Sequence, residues 1–264
     1  MVNSPVQTRP RIRKIDLFRV FLRSFFIQSL WNFRGLISVG FGVCLFPVLK
    51  RLYPDRTDQK ERVEFLRRHF KFFNAHPYMA SYALGVTIRL EEEAAAGHPE
   101  ACQKLERLKD LLITILGALG DQLFWATIKP ASLLVGTLGL LWFQDTAPRL
   151  AILAITFLLY NVPHFYIRYL GIVDGYQKGL EVYQSFNSAS FARLQRFYLV
   201  IGVGALVVLT VSLALQFSGQ GWLPLATYLA AVGVAIGFER ISGNFYLAIL
   251  FSVIFFVFVG FLFL

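Results

Sequence analysis

FYLVIGVGALVVLTVSLALQFSGQGWLPLATYLAAVGVAIGF, from Phe197 to Phe238, is a run of 42 residues without a charge. A helix needs about 20 apolar residues to cross a hydrocarbon core of ~30 Å. The run therefore holds two spans, broken at Ser218-Gly219-Gln220-Gly221. Beyond Glu239-Arg240 a second uncharged run, Ile241–Leu264, adds 24 residues and one more span. Two weaker segments upstream, Pro130–Gln144 and Leu150–Ile167, bring the total to about five. The first of them has 15 residues, and reaches only about 22 Å as a helix. It reads as a short span, a re-entrant segment or a helix buried by partners.

The composition of the whole chain agrees. Of 264 residues, 56% are hydrophobic and only 16% charged, against roughly 25% charged in a soluble domain. A mean hydropathy of +0.56 excludes disorder as well as a lone soluble globule. The expected fold class is all-α, an integral membrane protein with amphipathic cytoplasmic or interfacial N-terminal helices. Three regions are expected: a basic helical part at 1–116, a connecting segment at 117–130, and a transmembrane part at 131–264.

Charge separates these regions. Residues 1–130 carry 20 of the 26 Lys and Arg and 12 of the 16 Asp and Glu. A basic balance suits nucleic acid or an anionic membrane surface. No nucleic-acid motif occurs, and the attached apolar half selects membrane lipid. The N-terminal stretch RPRIRKIDLFRVFLRSFF, from Arg9, has charges where the apolar region of a signal peptide would lie. The expected location is the bacterial inner (cytoplasmic) membrane with the N-terminus cytoplasmic. With five crossings, Arg149 then lies outside, while Arg168, Lys178, Arg193, Arg196 and Arg240 lie in inward-facing loops, as the positive-inside rule requires.

The N-terminal part reads as a series of helices. Ile12, Ile15, Leu22 and Phe25, with Phe18 between them, mark the apolar face of a first helix suited to a membrane surface or to packing on its own domain. Pro47 and Tyr53-Pro54-Asp55 interrupt the next stretch. Thr57 or Asp58 caps a helix whose apolar face carries Val63, Leu66, Phe70 and Phe73. Another runs from Pro77 to Ala96 and stops at Gly97, and a further one covers Glu100–Leu116.

Little in the chain suggests independent catalysis. His69, His76, His98 and His164 lack metal-ligand spacing, and the two cysteines, Cys44 and Cys102, have no ligand companions. Glu91-Glu92-Glu93 point to different sides of a helix and read as a solvated segment. There is no phosphate loop and no nucleophile elbow, so no catalytic residue, metal or cofactor is expected. Attention falls on GALGDQLFWATIKP, Gly117–Pro130, where polar and apolar halves meet. Asp121 at membrane depth hints at a polar pathway. Gln122, Trp125 and Lys129 add polar and aromatic groups suited to an uncharged, hydroxylated ligand. The same residues also fit an interfacial turn with an anchoring Trp and a snorkelling Lys.

Five ordered blocks bear a family resemblance. They are RSFFIQSLWNF (Arg23–Phe33), GFGVCLFPVLKRLYP (Gly40–Pro54), HFKFFNAHPYMASYALGVTIRLEEE (His69–Glu93), GDQLFWATIKP (Gly120–Pro130) and RYLGIVDGYQKG (Arg168–Gly179). Together they resemble the IID component of the mannose/fructose/sorbose-type sugar phosphotransferase system (PTS). The resemblance implies a non-phosphorylated membrane subunit that pairs with a IIC subunit to translocate a sugar, with IIA and IIB proteins relaying phosphate from phosphoenolpyruvate. It implies substrate-pathway roles for Asp121, Gln122, Trp125 and Lys129. Structural or interface roles fall to Trp31, Asn32, Asn74, Gly120 and Gly175, in a higher-order assembly of IIC–IID pairs, and the Gly233-x-x-x-Gly237 pattern separately marks Gly233 and Gly237 as sites of close helix contact. Gln122 stands where the family has Pro, and Leu111–Leu116 lacks the family's Gly and Pro. These departures leave a non-transporting membrane scaffold or regulatory relative as the alternative.

Overall fold

A computed structural model describes residues 11–54, 58–186, 189–218, 222–242 and Ile254. The described residues are helical, and their β pairing is confined to isolated bridges of Leu36 with Asn32 and Phe73. Eleven helices follow in order: α1 (Lys14–Ser24), α2 (Ser38–Cys44), α3 (Phe46–Leu52), α4 (Gln59–His69), α5 (Ala80–Ala95), α6 (Glu100–Gly120), α7 (Lys129–Trp142), α8 (Thr146–Lys178), α9 (Tyr183–Phe186), α10 (Ala189–Ser218) and α11 (Trp222–Ser242). Among the described residues, three helical stretches are long and apolar enough to cross a membrane: Glu100–Trp142, Thr146–Phe186 and Ala189–Gln216. The last expected segment, Ile241–Leu264, lies outside the described residues apart from Ile241, Ser242 and Ile254.

Contacts divide the chain into a unit ending at Gly202 and one starting at Val203. The first unit is organised on α5 and α8, which run in the same direction in close contact. A Cβ on Gly85 would come 2.4 Å from the Ile172 carbonyl oxygen, and one on Gly175 would come 2.4 Å from that of Tyr82. Gly171 faces Ser81 in the same way. Small residues four apart on both helices thus let two backbones touch, as in packed membrane helices. Gly175 is a contact residue of this internal seam. Gly233 and Gly237, in the second unit, meet nothing within 4 Å.

The segment 117–130 is not a turn. The helix continues from Glu100 to Trp142, with residues Asp121–Ile128 wound as a π-helix. A break here would expose backbone N–H and C=O groups to lipid, and widening the turn keeps them bonded. The wider turn also relieves the clash that Pro130 would make with a preceding α-helical carbonyl. Pro130–Gln144 is therefore the end of one long helix. α7 then folds back on α8, with Gly136 against Thr156 and Gly139 against Ile152. Arg149 closes the hairpin by donating to the Phe143 carbonyl at 2.8 Å. The loop expected at 168–196 is mostly helical, since α8 continues to Lys178 and ends at Gly179, whose φ is +55°.

The α1 helix buries the face opposite to the one its apolar pattern selects, and α4 departs from its pattern in part. In α1, Asp16, Val20 and Ser24 are buried, whereas Ile15, Phe18, Leu22 and Phe25 are exposed. Asp16 accepts from the Arg13 N–H at 3.1 Å and lies 3.9 Å from Arg51 of α3. In α4, Phe65 and His69 are buried while Val63 and Phe70 are exposed; Leu66 packs partly on the core, and Phe73, beyond the end of the helix, is buried. The polar residues turn inward because their partners are inside.

His69 leads to a buried ionic group. Glu91 is fully buried and receives two bonds from Arg68, at 2.9 and 2.8 Å, and one from His69 Nε2 at 2.9 Å. Glu92 accepts from the Ile12 N–H at 2.7 Å and from the Tyr176 hydroxyl at 2.6 Å, and Glu93 pairs with Arg89 at 2.7 Å. The three acids do diverge, but only as anchors for different elements, and Glu91 is not solvated. Burial pushes the Glu91 carboxyl up, and His69 and Arg68 outweigh it, leaving it below its ordinary value of 4.5. Burial holds His69 below its ordinary 6.5 despite Glu91.

Both shifts destabilise the fold in acid. The unfolded chain takes up protons on His69 below about 6.5 and on Glu91 below about 4.5, ahead of the folded chain. The melting temperature in detergent should therefore fall as pH drops from 7 to 4. Glu91→Gln should lose about 3 kcal/mol at pH 7, with a smaller penalty at pH 4. A constant penalty across that range would remove Glu91 ionisation as the cause. Glycine substitutions should separate by location. Gly85→Val should cost at least about 3 kcal/mol by forcing α5 off α8. Gly117→Ala, which has open space around it, should gain about 0.5–1 kcal/mol.

Candidate functional site: a π-helical segment beside a buried polar seam

π-helical turns sit preferentially at functional places because they re-aim side chains. Here Thr127 Oγ1 donates to the Gln122 carbonyl five residues back, at 2.8 Å, fastening the wide turn. Leu123, Phe124, Thr127 and Ile128 face inward, and Asp121, Gln122, Trp125 and Lys129 face outward. The Lys129 ammonium lies 4.3 Å from the Trp125 ring centroid, within cation–π range. The Asp121 and Gln122 side chains make no hydrogen bond among the described residues. The four sequence candidates thus share one outward surface, with Trp125 and Lys129 in direct contact.

Behind this surface is a polar seam that the sequence did not single out. Gly120 lets the loop before α5 approach, since a Cβ there would fall 2.1 Å from His76 Cβ. The His76 ring stacks on Phe124 at 5.1 Å and meets Trp125 edge-on at 5.8 Å. Tyr78 stacks on His164 at 3.7 Å, and its hydroxyl lies 2.7 Å from that of Tyr160. Arg168 Nε donates to His164 Nε2 at 3.1 Å, and Nη1 donates to the Ser24 carbonyl of α1. The guanidinium also lies over Phe25 and Tyr78, at 4.9 and 5.2 Å.

Arg168 is 2% exposed and has no carboxylate partner among the described residues. Carbonyl and imidazole acceptors and two ring faces therefore carry the compensation that a buried charge requires. Because His164 Nε2 accepts from Arg168, the neutral ring carries its proton on Nδ1, and that atom has no partner. His76 Nε2 is likewise buried and unpartnered among the described residues. Burial, and secondarily the charge of Arg168, push His76 down to about 4, so it is neutral near pH 7. Tyr160, His164 and Arg168 stand four apart on α8. That spacing was the available signal for the seam.

The remaining candidates are structural in their geometry. Asn32 Oδ1 accepts from the N–H groups of Arg34 and Gly35 at 3.1 and 2.9 Å, shaping the turn in which Leu36 takes a φ of +55°. Trp31 is exposed and stacks edge-on with Phe33 at 4.8 Å. Asn74 is exposed in the loop before α5 and is not brought to the seam.

Residues 11–232 match the family model described as PTS system mannose/fructose/sorbose family IID component. The mannose-specific EIID component of Escherichia coli (strain K12) is 31% identical over 203 residues, covering 76% of this chain and 69% of the relative. The fructose permease IID component of Bacillus subtilis (strain 168) is 29% identical over 205 residues, covering 76% and 72%. A sorbose-specific EIID component of Lacticaseibacillus casei is 30% identical over 206 residues, covering 77% and 70%. Among solved structures, a chain in the cryo-EM complex of mannose transporter ManYZ with microcin E492 aligns with a TM-score of 0.59 and 25% identity. That alignment covers 94% of this chain and 95% of the other. The chain is a membrane protein belonging to the mannose/fructose/sorbose family of PTS IID components.

Proposed function

We propose that this IID component pairs with a IIC membrane subunit to carry a sugar of the mannose, fructose or sorbose type across the bacterial inner membrane. IIA and IIB proteins supply the phosphate, and this chain carries none. The observation behind this reading is the outward face of the π segment. Asp121, Gln122, Trp125 and Lys129 are exposed midway along a helical stretch long and apolar enough to cross a membrane, without a covering element among the described residues. Polar groups left uncovered in lipid are costly unless a partner or a hydrated path meets them. An aromatic ring flanked by hydrogen-bonding groups suits an uncharged polyol.

The seam gives this face its stiffness. Phe124 and Trp125 are braced from behind by His76, and His76 by Tyr78 and α8, so the face moves only if α5 and α8 move. The names of the relatives, and the likeness to a chain of the mannose transporter ManYZ complex, support the permease reading over the scaffold. In the proposed orientation the N-terminal helices are cytoplasmic and the α7–α8 hairpin faces outward. The exposed apolar side of α1 rests in the membrane interface with Lys14, Arg19 and Arg23 toward headgroups. IIC–IID pairs associate further into a higher-order oligomer.

Two measurements test this. Trp125→Ala and Asp121→Asn, in a complex that still co-purifies with its IIC subunit, should each lower sugar uptake by about tenfold or more, equivalent to ~1.4 kcal/mol. Full uptake with intact assembly removes the π face from the pathway. For orientation, Asp145→Cys should react with an impermeant maleimide in intact cells, and Leu180→Cys only after permeabilisation. The reverse pattern inverts the topology.

A further inference from the structure

The groove between α8 and the first turns of α10 belongs to neither the seam nor the π face. Its volume is about 810 Å³, within the range of ~300–1,000 Å³ seen for sites that enclose small molecules. Its shaft is apolar, formed by Ile155, Leu158, Val162 and Leu170 of α8 and by Phe191 and Leu194 of α10. Tyr198 also lines it, with its hydroxyl donating to the Leu159 carbonyl at 2.5 Å. One end is polar. Lys178 Nζ donates to Asp174 Oδ2 at 3.0 Å and to Ser185 Oγ at 2.8 Å, and Ser185 Oγ donates to the same carboxylate at 3.2 Å. Tyr82 of α5 also lines the groove. It is 0% exposed, and its hydroxyl has no partner among the described residues.

We propose that this groove is a binding site for a phospholipid whose headgroup carries both a phosphate and a primary ammonium, with one acyl chain in the shaft. The polar end lies where α8 leaves its apolar run, at headgroup level. From Leu170 back to Ile155 the shaft spans about 22 Å of helical rise, the length of an extended acyl chain. Lys178 and Asp174 stand side by side, a cation for the phosphate and an anion for the ammonium. The pair is neutral overall, so a purely anionic headgroup gains less. The Tyr82 hydroxyl is sealed from solvent in this structure, and it donates to an ester carbonyl at the glycerol level once a bound chain displaces the side chains over it. A protein helix is a poorer occupant, because its internally bonded backbone offers Tyr82 no acceptor.

The test uses the full chain, extracted in its native complex and reconstituted into vesicles of phosphatidylethanolamine and phosphatidylglycerol. A trace of phosphatidylethanolamine with a photoreactive acyl chain is added. Cross-links should map to the peptides holding Leu158, Val162 and Leu194. Unlabelled phosphatidylethanolamine should displace the probe at least about tenfold better than phosphatidylglycerol, the discrimination expected from one charge-assisted hydrogen bond. Leu158→Trp, which fills the shaft, should abolish this labelling. Tyr82→Phe, which keeps the packing, should lower it by about fivefold, the share of one hydrogen bond. Labelling spread evenly over the exposed faces of α8 and α10, equal competition by the two lipids, or cross-links from Val162 to a partner polypeptide would each overturn the site.

Discussion

The backbone contact between α5 and α8 is the constraint on which the first unit depends. With Gly85 and Gly175 pressed against facing main chain, and Gly171 on Ser81, the two helices can slide neither apart nor along each other. That register fixes what lies toward the start of each helix. Tyr78 must fall on His164 and Tyr160, and the loop carrying His76 must meet Phe124. It also brings Tyr176 to Glu92 further along. The seam, and through it the π face, is therefore a consequence of three missing side chains.

A second order of organisation comes from charges withheld from water. Glu91 joins α4 to α5 through Arg68 and His69, and Arg168 joins α8 to α1 through the Ser24 carbonyl. Neither group adds much net stability beyond an apolar replacement of the same shape. Each makes the arrangement of its neighbours specific, because a displaced helix leaves a bare charge behind. The N-terminal helices are held by such directional contacts as much as by apolar burial, and so they leave an aromatic side of α1 uncovered.

The long hydrophobic helices were legible because lipid imposes one rule on any spanning segment; of the expected break at Ser218–Gly221, all but Ser218 lies outside the described residues. The Gly97 stop was legible for a local reason, a φ of +103° that glycine accepts. The faces of α1 and α4 were not. An apolar stripe predicts burial only where water lies outside, and here Asp16, Ser24 and His69 found their partners within. Glu91 was misread for the same reason, since three adjacent acids look solvated until Arg68 is placed beside them. The π segment leaves no periodic trace. Gly117, Gly120 and Pro130 suggest a turn, and only the absence of water for a broken backbone explains why the helix goes on. Asp121, Gln122, Trp125 and Lys129 emerge on one surface, a placement set by the π winding and not by their spacing in the sequence. The histidines behind them could be joined only once the α5–α8 register was known.

The π segment also bears on how this chain can vary over generations. Each residue in an α-helix advances the chain by about 100° around its axis. The residues wound into Asp121–Ile128 therefore set the angle at which α7 leaves, and so whether Gly136 and Gly139 reach Thr156 and Ile152. Exchanging one side chain for another there leaves that angle alone. Removing or adding a single codon turns the whole of α7 by roughly a quarter of a circle and unseats the hairpin. Inheritance should accordingly hold the length of this stretch more tightly than its spelling.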